Sequence, residues 1–262
     1  MATNGREQRL VFGEVAELYD QYRPAYPEAA FDRLMEFAGL NPGDRALEVG
    51  CGTGRATVPL ANRGLLVTAL EPSPEMAQVA RRNTAGLPRV AVEETSFESW
   101  RLPSQPFALV TSAQAWHWVE PELRYQKAHR ALRSAGCLAL IWNTGDPDRA
   151  SDRALEDEVE AVYQRETPTL AARVPSDMDE DRRSEIESSG LFEDVSREIY
   201  PWSTVYSADH YLGLLQTQSD HRLLDPAVRD RLLSGIAKVL AGHDNQLPQN
   251  YRCCLYLARR RD

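Results

Sequence analysis

An α/β fold with a mostly parallel sheet is predicted by three features of this sequence. Short apolar runs alternate with helical patterns between Ala46 and Trp142, the order expected of parallel strands joined by helical crossovers. The first run, Ala46-Leu-Glu-Val49, stops at three alternating glycines, Gly50, Gly52 and Gly54. The second, Leu66-Val-Thr-Ala-Leu-Glu71, ends on a carboxylate about 20 residues past the first glycine, where Rossmann-type sites carry a ribose-binding acid.

At 262 residues the chain can bury a full core as a single domain. Apolar content of 42% and charged content of 26% are ordinary for a globular protein. A net charge of −9 argues against a polyphosphate partner such as nucleic acid, and Arg259-Arg-Arg261 reads as a solvated basic end. No apolar run has membrane-spanning length and no hydrophobic leader is visible, so no membrane partner and a cytoplasmic location are expected. The four cysteines, Cys51, Cys137, Cys253 and Cys254, show neither metal-ligand spacing nor a disulfide framework, which suits a reducing compartment. Cys253 and Cys254 are adjacent, so on a strand one is expected to be buried and the other exposed.

Residues 1–40 form an N-terminal helical cap. Phe12 to Pro24 is rich in aromatic and polar side chains, and Arg23, preceding Pro24, is biased away from helix. From Pro27, Phe31, Leu34, Met35 and Ala38 recur at helical spacing. Asn41-Pro-Gly-Asp44 turns the chain into a core spanning 41–145. Strands are predicted at 46–49, 66–71, 90–92, 107–111 and 137–142, with helices at 56–63, from Ser73 and at 122–132. Ser73 serves as N-cap, with Pro74 at the first helical position. A helix at 179–189 and a strand at 192–200 follow within 179–202. The strand 251–258, within 249–262, makes seven in a sheet with helices on both faces. Two helical inserts, 146–178 and 203–248, are not required by such a core and are expected to form a substrate lid. His221, in Gln216-Thr-Gln-Ser-Asp-His221, reads either as facing the acceptor or as a solvated helix end.

Glycine lets the backbone turn sharply and approach a ligand with no Cβ in the way. The helix after the loop aims its unpaired N–H groups at that ligand. A dinucleotide fingerprint would need glycine at position 55, which is Arg55, and no phosphate-loop Gly-Lys-Ser/Thr triplet is present. What remains is Glu48 two residues before the three alternating glycines. That pattern resembles motif I of the class I S-adenosylmethionine (SAM) methyltransferases. The chain is similar in particular to their small-molecule subgroup, the type 11 and trans-aconitate methyltransferase-like proteins. In that subgroup the fourth strand runs into a stretch like Ala115-Trp-His-Trp118, and the lead-in resembles Tyr22-Arg-Pro-Ala-Tyr-Pro27. The resemblance covers about residues 12–143, and the last two strands loosely.

The resemblance implies SAM as cofactor, S-adenosylhomocysteine as product and no metal. Glu48, Gly50, Gly52 and Gly54 would surround the methionine part of SAM, with Glu48 on its amino group. Glu71 would hold the ribose, and Pro72 and Met76 would flank the adenine. Thr95 stands where many relatives carry Asp, so backbone groups of Ser96 and Phe97 would meet the adenine amino group. Ala113 and Gln114 would meet the amino acid end. Arg23 would hold its carboxylate, or alternatively clamp a neighbouring carboxylate of the protein. Tyr19, Tyr22, Trp116 and Trp118 are either walls for the sulfonium or core aromatics. His117 is read as a catalytic base or as an acceptor-orienting group. The implied activity moves a methyl group to a small organic acceptor, mainly by proximity and in-line alignment. A carboxylate oxygen is favoured, with N- and C-acceptors open. The alternatives are a SAM-binding sensor that transfers nothing and a SAM-dependent rearrangement or cyclisation enzyme. A monomer or homodimer is expected.

Overall fold

The computed structural model describes residues 15–146, 149, 152–171 and 178–262. The readings at Phe12–Glu14 and at part of the 146–178 insert lie outside the described residues. The strands are β1 (Arg45–Val49), β2 (Leu66–Glu71), β3 (Val90–Glu94), β4 (Phe107–Ala113), β5 (Leu132–Gly145), β6 (Phe192–Ser207) and β7 (Gln246–Arg260). They form one sheet in the order β3-β2-β1-β4-β5-β7-β6. β1 pairs in parallel with β2 and β4, β2 with β3, and β4 with β5. The chain winds outward from β1 to β3, then returns to β4 on the other side of β1. The carboxyl ends of β1 and β4 therefore flank the switch point at which open α/β sheets bind ligands.

The central strands are buried almost throughout because helices cover the sheet. Ala46, Leu47, Val49, Leu109 and Val110 are all but sealed from solvent, as continuous apolar runs in parallel strands should be. The helix Glu28–Ala38 buries Ala30, Phe31, Leu34 and Ala38 and stops at Gly39, whose φ of 59° is left-handed. The helix Pro74–Asn83 begins as predicted, with the Ser73 side chain accepting from the Met76 N–H. The helix Ala16–Tyr22 ends where Arg23 turns extended ahead of Pro24.

Three strands outrun their predicted bounds by several residues, and β1, β3 and β4 by one or two. β6 continues through Pro201 to Ser207, reaching into the 203–248 insert expected to be helical. Proline is tolerated there because β6 is the terminal strand of the sheet. β5 and β7 extend beyond 137–142 and 251–258 at both ends. The expectation for the paired cysteines is corrected: Cys253 and Cys254 are both fully buried. β7 lies between β5 and β6, and at this point neither of its faces meets solvent.

The packing divides the chain into two compact units. One comprises 25–144, 178–200 and 253–262. Its core gathers Leu47, Leu70, Phe97, Phe107, Trp116, Trp142 and Tyr256 among others. The other comprises the described parts of 1–24, 145–177 and 201–252. Its core is Leu155, Val159, Val162, Leu215, Leu232, Ile236, Leu240 and Leu247. In the helix Pro226–Ala241, Leu232, Ile236 and Leu240 recur every fourth residue on one face. Burying each such side chain contributes about 1.5–3 kcal/mol. Gly235 makes that close approach possible, since a Cβ on it would stand 2.6 Å from a methyl of Val162.

Candidate active site

β1 delivers Glu48 and the glycine loop to the switch point. The loop is tied to the end of β2 by Gly50 N–H and Cys51 N–H, which donate to the Leu70 carbonyl at 2.9 and 3.0 Å. Gly50, Gly52 and Gly54 have φ of 71°, 56° and 90°, a region that favours glycine. Gly50 is required on a second ground, because a Cβ there would lie 2.4 Å from the Ala115 Cβ. At Gly52 the nearest atom to such a Cβ would be the Met76 Cε, 3.6 Å away.

Two carboxylates serve this loop in different ways. Glu71, 8% exposed, is held by the backbone: Gly52 N–H donates to Oε2 and Ser73 N–H to Oε1, both at 2.9 Å. Glu48 is 1% exposed and accepts from the Thr57 hydroxyl at 2.6 Å. Burial pushes its pKa up to about 7, the Thr57 hydrogen bond pulls it down, and the charge of Glu71 adds to the rise. Burial and the same two acids push the Cys51 thiol well above its usual range. Thr57 was not singled out from the sequence, although a hydroxyl in the first turn after a glycine loop is a visible signal.

The other cofactor candidates fall around this centre. Met76 is buried beneath Gly52, whereas Pro72 is exposed. Thr95 N–H donates to the Glu71 carbonyl at 3.1 Å, and the Ser96 carbonyl accepts from Trp100 N–H at 2.9 Å. The Phe97 ring is buried in the core 6.0 Å from Trp116, so only its backbone could meet a ligand. Past β4, Gln114 adopts a left-handed φ of 59°. Its N–H donates to the Ile141 carbonyl and its Nε2 to the Asn143 carbonyl at 2.7 Å.

Trp116 is a core residue, 1% exposed and edge-on to Tyr125 at 5.6 Å. Trp118 is half-buried and lies 4.7 Å from the His117 ring. Dense surrounding protein, then the charges of Arg182 and Arg124, lower the His117 pKa to about 4. The residue nevertheless stays open to solvent. With that pKa the imidazole is neutral at neutral pH. Arg182 stacks 3.6 Å over the Trp142 ring, and Arg124 donates to Glu185 at 2.6 Å.

Tyr19 and Arg23 belong to the second unit. Arg23 donates through Nε to the Thr217 hydroxyl and through Nη2 to its carbonyl, both at 2.9 Å, and lies 5.1 Å over the Tyr19 ring. The clamp foreseen for Arg23 thus holds a threonine rather than a carboxylate. Tyr22 packs so closely on Gly213 that a Cβ there would stand 2.5 Å from its ring. His221 is 3% exposed, which removes the solvated helix end. It joins Asp220 at 2.8 Å through Nδ1 and the Tyr163 hydroxyl at 2.7 Å through Nε2. Among the described residues no group of three or more His, Cys, Asp or Glu is placed to hold a metal ion, and no helix is long and apolar enough to cross a membrane.

Residues 46–136 match a family described as a methyltransferase domain. An uncharacterized methyltransferase of Mycobacterium tuberculosis is 32% identical over 244 residues, covering 93% of this chain and 90% of that protein. The chain belongs to the class I SAM-dependent methyltransferases. Its fold agrees. A structure designated a type II methyltransferase from Anaeromyxobacter dehalogenans superposes with a TM-score of 0.63 at 24% identity, covering 91% of this methyltransferase and 98% of that chain. Phosphoethanolamine N-methyltransferase 2 of Haemonchus contortus, solved with phosphomonomethylethanolamine and S-adenosylhomocysteine, gives 0.56 at 15% identity. It covers 95% of this methyltransferase and 58% of that chain.

Proposed function

We propose that this methyltransferase acts on a small organic acceptor, with a carboxylate oxygen favoured over nitrogen or carbon. The observation that carries the cofactor half of this reading is the pair of acids on one glycine loop. Glu71, held at both oxygens by the Gly52 and Ser73 N–H groups, stands at the tip of β2, where a ribose-binding acid is expected. Glu48 is buried, and no cation is among the causes of its shift, which suits an ammonium group. The left-handed backbone at Gly50, Gly52 and Gly54 carries no Cβ, which suits close approach of a ligand. The residues present fit SAM.

When bound, SAM supplies a methyl group already activated on a sulfonium. The chain's own residues then have to align and enclose. The Gly50–Gly54 backbone seats the amino acid portion, Gln114 borders it from the end of β4, and Met76 with Pro72 bounds the base. Alignment of this kind contributes on the order of 7–11 kcal/mol in well-oriented reactions.

His117 supports the carboxylate preference. A neutral imidazole whose conjugate acid has a pKa of about 4 is a weak base at neutral pH but can still orient an acceptor. A carboxylate acceptor is already deprotonated at that pH, whereas a phenol or ammonium is not. The test is incubation with SAM and a panel of small acids, phenols and amines, with S-adenosylhomocysteine measured. Turnover is expected with acids; SAM binding with no product from any acceptor would favour a sensor.

A further inference from the structure

Glu48 is the most enclosed acid of the site, and its surroundings can be read element by element. On β1 it is flanked in register by Ala69 of β2 and Thr111 of β4. The helix Thr57–Asn62 supplies the Thr57 hydroxyl, and the loop supplies the buried Cys51 thiol. Glu71 at the tip of β2 adds a second negative charge. Thr111 is neutral, and its hydroxyl is buried without a hydrogen-bond partner. Among the described residues, the groups named against Glu48 are neutral or acidic. Removing a carboxylate from water beside another acid favours its protonated form.

We propose that Glu48 carries a proton in the cofactor-free protein and releases it when the cofactor's ammonium is seated beside it, so that SAM binding is coupled to proton release. This rests on the reading of the site under Proposed function. The step balances simply: the carboxyl O–H ionises, the proton leaves to solvent, and the carboxylate faces an ammonium that stays protonated. The upward shift of the Glu48 pKa to about 7 is consistent with it and puts the transition near neutral pH. The bound protein then holds fewer protons than the free one. Affinity for SAM rises with pH, by up to about tenfold per unit below that transition, and levels off above it.

The experiment is calorimetric titration of the cofactor-free protein in phosphate and in Tris, buffers of very different ionisation heat. The probes are SAM, S-adenosylhomocysteine and 5′-methylthioadenosine, which lacks the ammonium. For SAM and S-adenosylhomocysteine the expected result is release of about half a proton at pH 7 and affinity that climbs from roughly pH 5.5 to 8. For 5′-methylthioadenosine, no proton release and a flat affinity are expected. Glu48→Gln should abolish both the release and the slope for SAM. Should that variant not fold, infrared spectroscopy of the wild type gives the same answer: a protonated carboxyl band present without SAM and lost on its addition. SAM binding with equal heats in both buffers and flat affinity overturns the coupling alone. Failure of SAM to bind at any pH overturns the cofactor-site reading and the coupling with it.

Discussion

The glycine loop of the sheet-bearing unit and the Arg23 clamp of the helical unit use polar groups over very different distances along the sequence. In the sheet-bearing unit, Glu48 meets a partner nine positions away and Gly52 reaches Glu71 across nineteen. In the helical unit, Arg23 clamps Thr217 across 194 positions and His210 reaches the Tyr22 carbonyl across 188. Short-range bonds of the first kind follow from a strand–loop–helix that the local sequence already specifies. Those of the second kind exist only once distant segments have packed. The first unit thus presents a binding motif as a sequence pattern, while the second presents a cross-braced helical body with no such pattern.

Substitutions test how far that division holds. Gly50→Ala should have the largest effect, since the added Cβ would meet Ala115 at 2.4 Å in a left-handed backbone. A loss of SAM affinity of 100-fold or more, about 3 kcal/mol, is expected by calorimetry, with a lower melting temperature. Glu48→Gln should act through pH. The folded pKa of about 7 lies above the ordinary value of 4.5. The stability this group contributes is therefore complete below about pH 4.5 and is lost as pH rises through 7. In cofactor-free protein the variant should gain on wild type between pH 5 and 8, by on the order of 2–3 kcal/mol in denaturant melts. A constant difference across that range would remove the ionisable acid from the account.

Glu71→Ala should weaken SAM binding roughly 10- to 100-fold with an unchanged circular dichroism spectrum, as expected for the loss of hydrogen bonds to a charged group. His221→Ala sharpens the contrast from the other side. It leaves Tyr163 and Asp220 without their bridge at a site 3% exposed. Stability should fall by roughly 1–2 kcal/mol, while SAM affinity stays within about twofold. A change in SAM affinity as large as that of Glu71→Ala would erase the distinction between the units. The smallest effect is expected from His117→Gln. The neutral imidazole of the wild type gives no titration near pH 6.5, so turnover of a carboxylate acceptor should change only a few-fold with the same pH profile.

The mostly parallel, helix-covered sheet was legible because period and punctuation agree. Apolar runs end at turn residues, and the register of Glu71 to Gly50 matches a known geometry. Thr57 as partner to Glu48 was within reach of the same local logic. Arg23 was read as a ligand of the cofactor carboxylate or a clamp on a protein carboxylate, and its bonds to Thr217 were not foreseen, because no local rule connects residues that far apart. Alternation along β6 past Pro201 was hidden by the proline, which only an edge strand accommodates. Adjacent Cys253 and Cys254 misled in the opposite direction. Alternation assigns them to two faces, and it cannot say that both faces are covered.

That coverage gives the protein its own unfolding reporter. All four thiols are buried, and Cys51, Cys137 and Cys253 have pKa values pushed upward by burial. Each is doubly protected from a colorimetric thiol reagent, by lack of access and by scarcity of thiolate. Colour should therefore develop only as fast as the chain opens. Cys51, next to the glycine loop, would register local breathing there, and the strand cysteines would register loss of the sheet.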